Sequence, residues 1–125
     1  MPYPIPDHAL QMAETAANTA DDRKGQKITV LAVGEVSVLA DYFVIVSAQS
    51  RTQSRAIAEA IRAKIAETHH RHPQHLSGEG EANWIVLDYG EVMVHIMLPK
   101  ERDYYDLEAF WGHAPRLNLA SQIPT

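Results

Sequence analysis

At 125 residues, with 46% apolar and 22% charged side chains, the chain has the size and composition of one globular domain with a real core. It has no cysteine, which rules out a disulfide framework, a thiol nucleophile and a thiolate metal site. The net charge is −5, and the 11 basic residues are scattered rather than clustered. The cationic footprint that neutralises phosphates is therefore missing, so little direct nucleic-acid contact is expected and a basic protein partner suits the chain better.

Taken in chain order, residues 1–6 carry three prolines, which fix φ and remove donors. They are expected to form an extended arm. They have neither the basic start nor the apolar run of a signal peptide, nor the Arg/Ser richness of a transit peptide, so a cytoplasmic location is the expectation. No apolar run reaches the roughly 18 residues of a membrane span. Asp7 is placed to cap a first helix, with Leu10, Ala13, Ala16 or Ala17, and Ala20 on its apolar face and Gly25 as its stop. Lys27 to Val33 alternates as a strand, and Tyr42 to Val46 is a continuous apolar run that suits a central strand.

Ser50-x-x-Gln53 is a capping-box pattern that opens the longest helix. Ile57, Ala60, Ile61 and Ile65 form its stripe, Arg55 and Glu59 are a candidate pair, and Pro73 marks its end. His75 to Gly80 is a short candidate strand. Two β-branched and aromatic runs, Trp84–Asp88 and Val92–Leu98, then flank a tight turn at Gly90 and predict a hairpin at the sheet centre. Lys100 to Trp111 predicts one last helix with Leu107, Phe110 and Trp111 on its buried stripe. The fold class is α/β or α+β, a mixed sheet of four or five strands flanked by helices.

Several groups of residues invite a chemical reading. His69, His70, His72 and His75 could gather a metal ion, but Pro73 breaks the segment and no carboxylate completes it. A solvated helix end is the favoured reading. His95 within an apolar strand reads as a core histidine more readily than as a catalytic base. Asp41 and Asp88 could partner it or cap turns. Neither Gly-x-Ser-x-Gly nor a glycine-rich phosphate loop occurs. No cofactor, metal or catalytic residue is expected. Ser50 and Arg51 open a helix straight after a strand, a good partner position, although capping is the simpler role for Ser50. Three aromatics, Tyr104, Tyr105 and Trp111, cannot all face one way on a helix, so Tyr105 or Trp111 is expected partly exposed.

The run Leu39-Ala40-Asp41-Tyr42-Phe43-Val44-Ile45-Val46-Ser47, the pairs Ser50-Arg51 and Arg55-Ala56, and Gly78-Glu79-Gly80 have a familiar combination. So do Trp84-x-x-x-Asp88-x-Gly90 with Val94-His95, and Tyr105-x-Leu107-Glu108-x-x-Trp111. Together they resemble the ribosomal silencing factor family, RsfS or Iojap, over roughly residues 7–112. Residues 113–125 are expected to be a flexible tail. Ala48 stands where many members carry glycine.

The resemblance implies a nucleotidyltransferase-like fold without the catalytic motif, and a protein that is not an enzyme. It implies binding to large-subunit ribosomal protein fourteen on the large ribosomal subunit, blocked joining of the small subunit, and repressed translation, with homodimers possible. A role in large-subunit biogenesis is the alternative, and a nucleotidyl-transfer enzyme a more distant one. Carried over by position, the partner surface would include Trp84, Asp88, Tyr89 and Gly90, with Ser50, Arg51 and Tyr105 beside them.

Overall fold

The computed structural model describes residues 7–111 and 114–117. The extended arm expected over 1–6 lies outside the described residues, as does most of the expected tail. The element order is α1 (His8–Asp22), β1 (Gln26–Ala32), β2 (Tyr42–Ser47), α2 (Arg51–His69), β3 (His75–Ser77), β4 (Trp84–Asp88), β5 (Val92–Met97), α3 (Pro99–Tyr105) and α4 (Leu107–Phe110). The five strands form one mixed sheet in the order β1-β2-β5-β4-β3. Only β2 and β5 run parallel, and every other pairing is antiparallel.

The hairpin is the middle of this sheet. β5 lies between β2 and β4, and both of its faces are apolar because both are covered. On one face Val44, Val46, Ile85, Leu87, Val94 and Ile96 pack against α1 and α2. On the other, Leu31, Phe43, Ile45 and Met97 form a second cluster, with Trp84, Met93, Leu107 and Trp111 packed around it. The period of two along each strand separates these sets.

The helices follow their caps. Asp7 accepts from the Leu10 amide at 2.9 Å and Ser50 accepts from the Gln53 amide at 3.1 Å. Gln53 Oε1 reaches back one residue beyond the usual capping box, to the Gln49 amide at 2.6 Å. The first helix turns Met12 into the core with Ala13, Ala16, Ala17 and Ala20, while Leu10 is only half-buried. Its mostly alanine face lets α1 lie close on α2 and the sheet.

Gly25 was expected to take the left-handed turn that ends α1, but Lys24 does so at φ 68°. The Gly25 amide closes the motif onto the Ala20 carbonyl at 2.8 Å. Glycine is needed there for a different reason: a Cβ would lie 2.7 Å from Val46 Cγ1. On α2, Arg55 does not pair with Glu59. It holds the carbonyls of Glu79 and Gly80 at 3.1 and 2.7 Å, and Glu59 pairs with Arg62 instead.

The last helix is not continuous. Asp106 at φ 45° ends α3 and caps α4, accepting from the Ala109 amide at 3.3 Å. The break lets Glu108 turn back onto Arg102, which lies buried with Ser47 and Thr29 as its other partners. The expected stripe shifts accordingly: Leu107 and Trp111 are half-buried and Tyr104 is exposed, while the Phe110 side chain lies outside the described set. The start of the expected tail is also ordered against the sheet. The Leu117 amide donates to Val30 O and the Ala32 amide to Pro115 O, both at 2.9 Å, which extends the β1 edge by one bridge.

Candidate functional site

The period of two in β4 puts Trp84, Val86 and Asp88 on the face away from α1 and α2, and all three stay half-buried. Their cross-strand neighbours on β5 are Met97, His95 and Met93. α3 and α4 cover only part of this face. A line of aromatic rings crosses it from the interior to the surface. Trp111 meets Phe43 edge-on at 5.6 Å between centroids, and Phe43 meets His95 at 4.9 Å. Trp84 follows at 6.0 Å from His95, and Tyr105 lies against Trp84 at 4.7 Å. Tyr104 ends the line at 5.0 Å from Tyr105. Burial relaxes along it: Phe43 is 2% exposed, Tyr105 50% and Tyr104 81%.

One hydrogen bond sets the middle of this line. Trp84 Nε1 donates to His95 Nδ1 at 3.1 Å. An indole N–H can only donate, so Nδ1 accepts and the His95 proton sits on Nε2. Burial pushes the His95 pKa down to about 4, so the ring is neutral near pH 7. The Nε2–H has no hydrogen-bond partner among the described residues. With Nδ1 committed to Trp84 and the ring 5% exposed, His95 is a fixed acceptor that aims the indole. The core reading made from sequence agrees with this placement.

The residues singled out from sequence fall into two groups at opposite ends of β4. At the Trp84 end, Arg51 Nε donates to Asn83 Oδ1 at 3.0 Å, which holds the exposed arginine beside Trp84. Ser50 is exposed, and its hydroxyl is engaged as the α2 cap. Tyr105 lies over Trp84 from α3. At the other end, Asp88 Oδ1 accepts from the Gly90 amide at 2.8 Å and shapes the turn. Gly90 has φ 92°, a left-handed value that glycine adopts without strain.

Tyr89 is a correction. Its side chain is wholly buried on the α1 and α2 side, so it belongs to the core and not to an exposed surface. Burial also raises its hydroxyl pKa to about 12. Arg71 braces the same turn through Tyr89 O at 2.8 Å and through both carboxylate oxygens of Glu91. The hydrogen bonds from Arg71 hold Glu91 below the ordinary carboxylate range.

Sequence reading missed other residues. Val86 and Met93 join the open face and are half-buried there. Arg102 carried no signal, because a lone arginine in a helix is ordinarily a surface residue. Val36, Val38 and Leu39 are exposed apolar residues in the loop between β1 and β2. From sequence, residues 36–40 read only as a short extended link.

The histidines do not converge on a metal site. His69 Nε2 is 2.8 Å from Thr15 Oγ1, His70 caps α2 at φ 58°, and His75 lies in β3. Among the described residues, no group of three or more His, Asp or Glu could hold a metal ion. No helix among them is long and apolar enough to cross a membrane.

Fold and site together define a small α+β domain with a mixed five-stranded sheet, helices on both faces and an aromatic surface where one face is incompletely covered. The family model for "Ribosomal silencing factor during starvation" matches residues 6–125. The chain is 34% identical over 113 residues to ribosomal silencing factor RsfS of Halalkalibacterium halodurans, covering 90% of this chain and 96% of that one. It is 38% identical over 104 residues to RsfS of Bacillus subtilis, covering 83% and 87%. Maize chloroplastic protein Iojap is 36% identical over 111 residues, which cover 88% of this chain but 47% of that longer one. A crystal structure of a Chromobacterium violaceum protein superposes with a TM-score of 0.80 at 31% identity, covering 83% and 86%. The chain therefore belongs to the ribosomal silencing factor family.

Proposed function

We propose that the chain acts by occlusion. It docks on large-subunit ribosomal protein fourteen of the large ribosomal subunit, blocks the small subunit from joining, and so represses translation without catalysing a reaction. The observation that carries this reading is the open aromatic face. Half-buried Trp84 on the sheet and exposed Tyr105 at the end of α3 meet at 4.7 Å at the surface. Aromatic anchors on rigid backbone are what protein interfaces most often concentrate their binding energy on.

Charge supports the same reading. At −5 the chain would be steered toward a basic ribosomal protein, and the absence of a clustered cationic stripe disfavours direct grip on RNA. Trp84, Asp88, Gly90, Arg51 and Tyr105 are the contact residues we infer, with Ser50 acting through its cap. The site of action on this reading is the cytoplasm. A second copy of the chain could share part of the surface in a homodimer.

The test is a sucrose-gradient profile of tagged protein in cell extract. Co-migration with free large subunits, and exclusion from joined ribosomes, is expected. Protein that stays at the top of the gradient under starvation would overturn the proposal. Presence on joined ribosomes would overturn the occlusion step while leaving ribosome binding intact.

A further inference from the structure

The loop between β1 and β2 carries three of the five exposed large apolar side chains among the described residues, and the most exposed of them, Val38. Val36, Val38 and Leu39 are 49%, 103% and 61% exposed. A loop on a monomer has no reason of its own to present three such residues within four positions. The base of this loop, in contrast, is firmly held. The amides of Val33 and Gly34 donate to Asp41 O at 2.8 and 3.1 Å. Val36 N donates to Val33 O at 3.0 Å, and Ser37 Oγ accepts from the Leu39 amide at 3.0 Å. Val33 and Ala40, on either side, are buried in the same cluster as Phe43 and Met97. The apolar tip is therefore a supported projection at the rim of the aromatic face.

It is also continuous with the hairpin end of that face. The amides of Asp41 and Tyr42 donate to Glu91 O at 2.8 and 3.1 Å, next to the Asp88–Gly90 turn. Glu35 and Asp41 are exposed at the two ends of the tip, and Asp88 lies beyond. Among the described residues none of these three carboxylates is in a salt bridge. Glu91 is already matched by Arg71.

We propose that residues 36–39 form a second anchor of the docking surface, a convex apolar knob that enters a shallow apolar socket on the ribosomal partner, rimmed by lysine or arginine side chains that meet Glu35, Asp41 and Asp88. This rests on the docking reading above and extends its footprint from Trp84 past Gly90. A protruding tip fits a concave receiver, and three carboxylates outside any salt bridge around it complement cations on a partner. Two anchors, one at the Trp84 end of β4 and one in the β1–β2 loop, would also fix the orientation of the bound domain, which occlusion requires.

The experiment uses the full chain with purified large ribosomal subunits as the probe. The variant V38S/L39S removes apolar area from side chains that the fold does not bury. Wild type should bind, and V38S/L39S should bind about tenfold or more weakly, the loss of one modest anchor. Its thermal midpoint should not move. If V38S/L39S does unfold more readily, E35K decides: weakened binding at low salt supports the cationic rim, and unchanged binding overturns it.

Wild-type affinity retained in V38S/L39S while W84A loses binding would overturn the knob and leave the docking reading standing. Failure of wild type to bind large subunits would instead defeat the docking reading itself. Sedimentation velocity covers the remaining occupant. Loss of a dimer in V38S/L39S with ribosome binding unchanged would assign the knob to a second copy of the chain and overturn the proposal.

Discussion

Replacing Glu108 with alanine leaves the Arg102 guanidinium in the protein with its charge unmatched. In the native fold Glu108 takes two bonds from Arg102, from Nε at 3.2 Å and Nη2 at 2.6 Å. The side chains are 7% and 17% exposed. Removing one partner of a buried pair costs about 3–5 kcal/mol, because the other charge stays out of water. The Glu108 side is slightly open, and Arg102 keeps Ser47 and Thr29, so the lower end, about 3 kcal/mol, is expected for E108A.

E108Q keeps one acceptor oxygen but turns its amide NH2 toward the other Arg102 N–H, so one bond is lost and the other loses its anionic partner. With one charge-assisted bond lost and the other weakened, it should cost roughly 2–3 kcal/mol, no more than E108A. Urea unfolding at pH 7 with an unchanged slope reads both. The pH dependence carries a sign. Burial works to raise the Glu108 carboxyl, but the Arg102 hydrogen bonds and charge outweigh it, and its pKa lies below the ordinary 4.5. Its contribution is thus fully present above pH 4.5 and is lost as pH falls through the lower folded value. The gap between wild type and E108Q should be flat from neutral pH down to about 4.5, narrow from there to the lower folded value, and level off below it. A cost of E108A under about 1 kcal/mol would refute the view that this pair braces the α3–α4 elbow beneath Tyr105.

Three further outcomes are expected. W84A should remain folded and lose more than roughly 1 kcal/mol of affinity for large subunits, and association of the wild type should slow as salt rises; normal binding would make Trp84 merely structural. Y89F should leave the urea midpoint unchanged or raise it, because the buried Tyr89 hydroxyl has no partner among the described residues; a loss above about 1 kcal/mol would mean that it has one. His95 has its pKa lowered from 6.5 to about 4, so stability that is present above pH 6.5 should fall as pH drops toward 4, by about 3 kcal/mol. H95F should lack this component in equilibrium unfolding across the same window, and an equal acid slope in both proteins would contradict the buried, neutral ring.

Much of the fold was legible because local and global preferences agree along most of the chain. The caps Asp7 and Ser50, the alternation of β1 and the hairpin at Gly90 each follow from short-range chemistry. The failures have physical causes. The single last helix expected over 100–111 is broken because Asp106 tolerates a left-handed backbone, and because bending brings Glu108 to a buried arginine. Nothing in the helical spacing announces a long-range pair of that kind. Tyr89 is placed in a turn by its neighbours, yet it is wholly buried; sequence position in a turn does not say where a large ring points.

The candidate site was legible in its aromatic anchors and not in its extent. Trp84 was named through the family resemblance, and Tyr105 as one of two rings, with Trp111, expected partly exposed. That they stack on each other depends on α3 folding back over β4, a tertiary fact. Val36, Val38 and Leu39 look like any β-branched segment until the loop geometry turns them outward.

Occlusion is tested most directly by subunit joining. Purified large and small subunits can be joined by raising magnesium, with light scattering recording the joined fraction, in the presence of increasing amounts of this protein. Saturating wild type should suppress joining, and W84A should need a much higher concentration to do so. Full joining at concentrations where the protein is demonstrably bound to large subunits would contradict it.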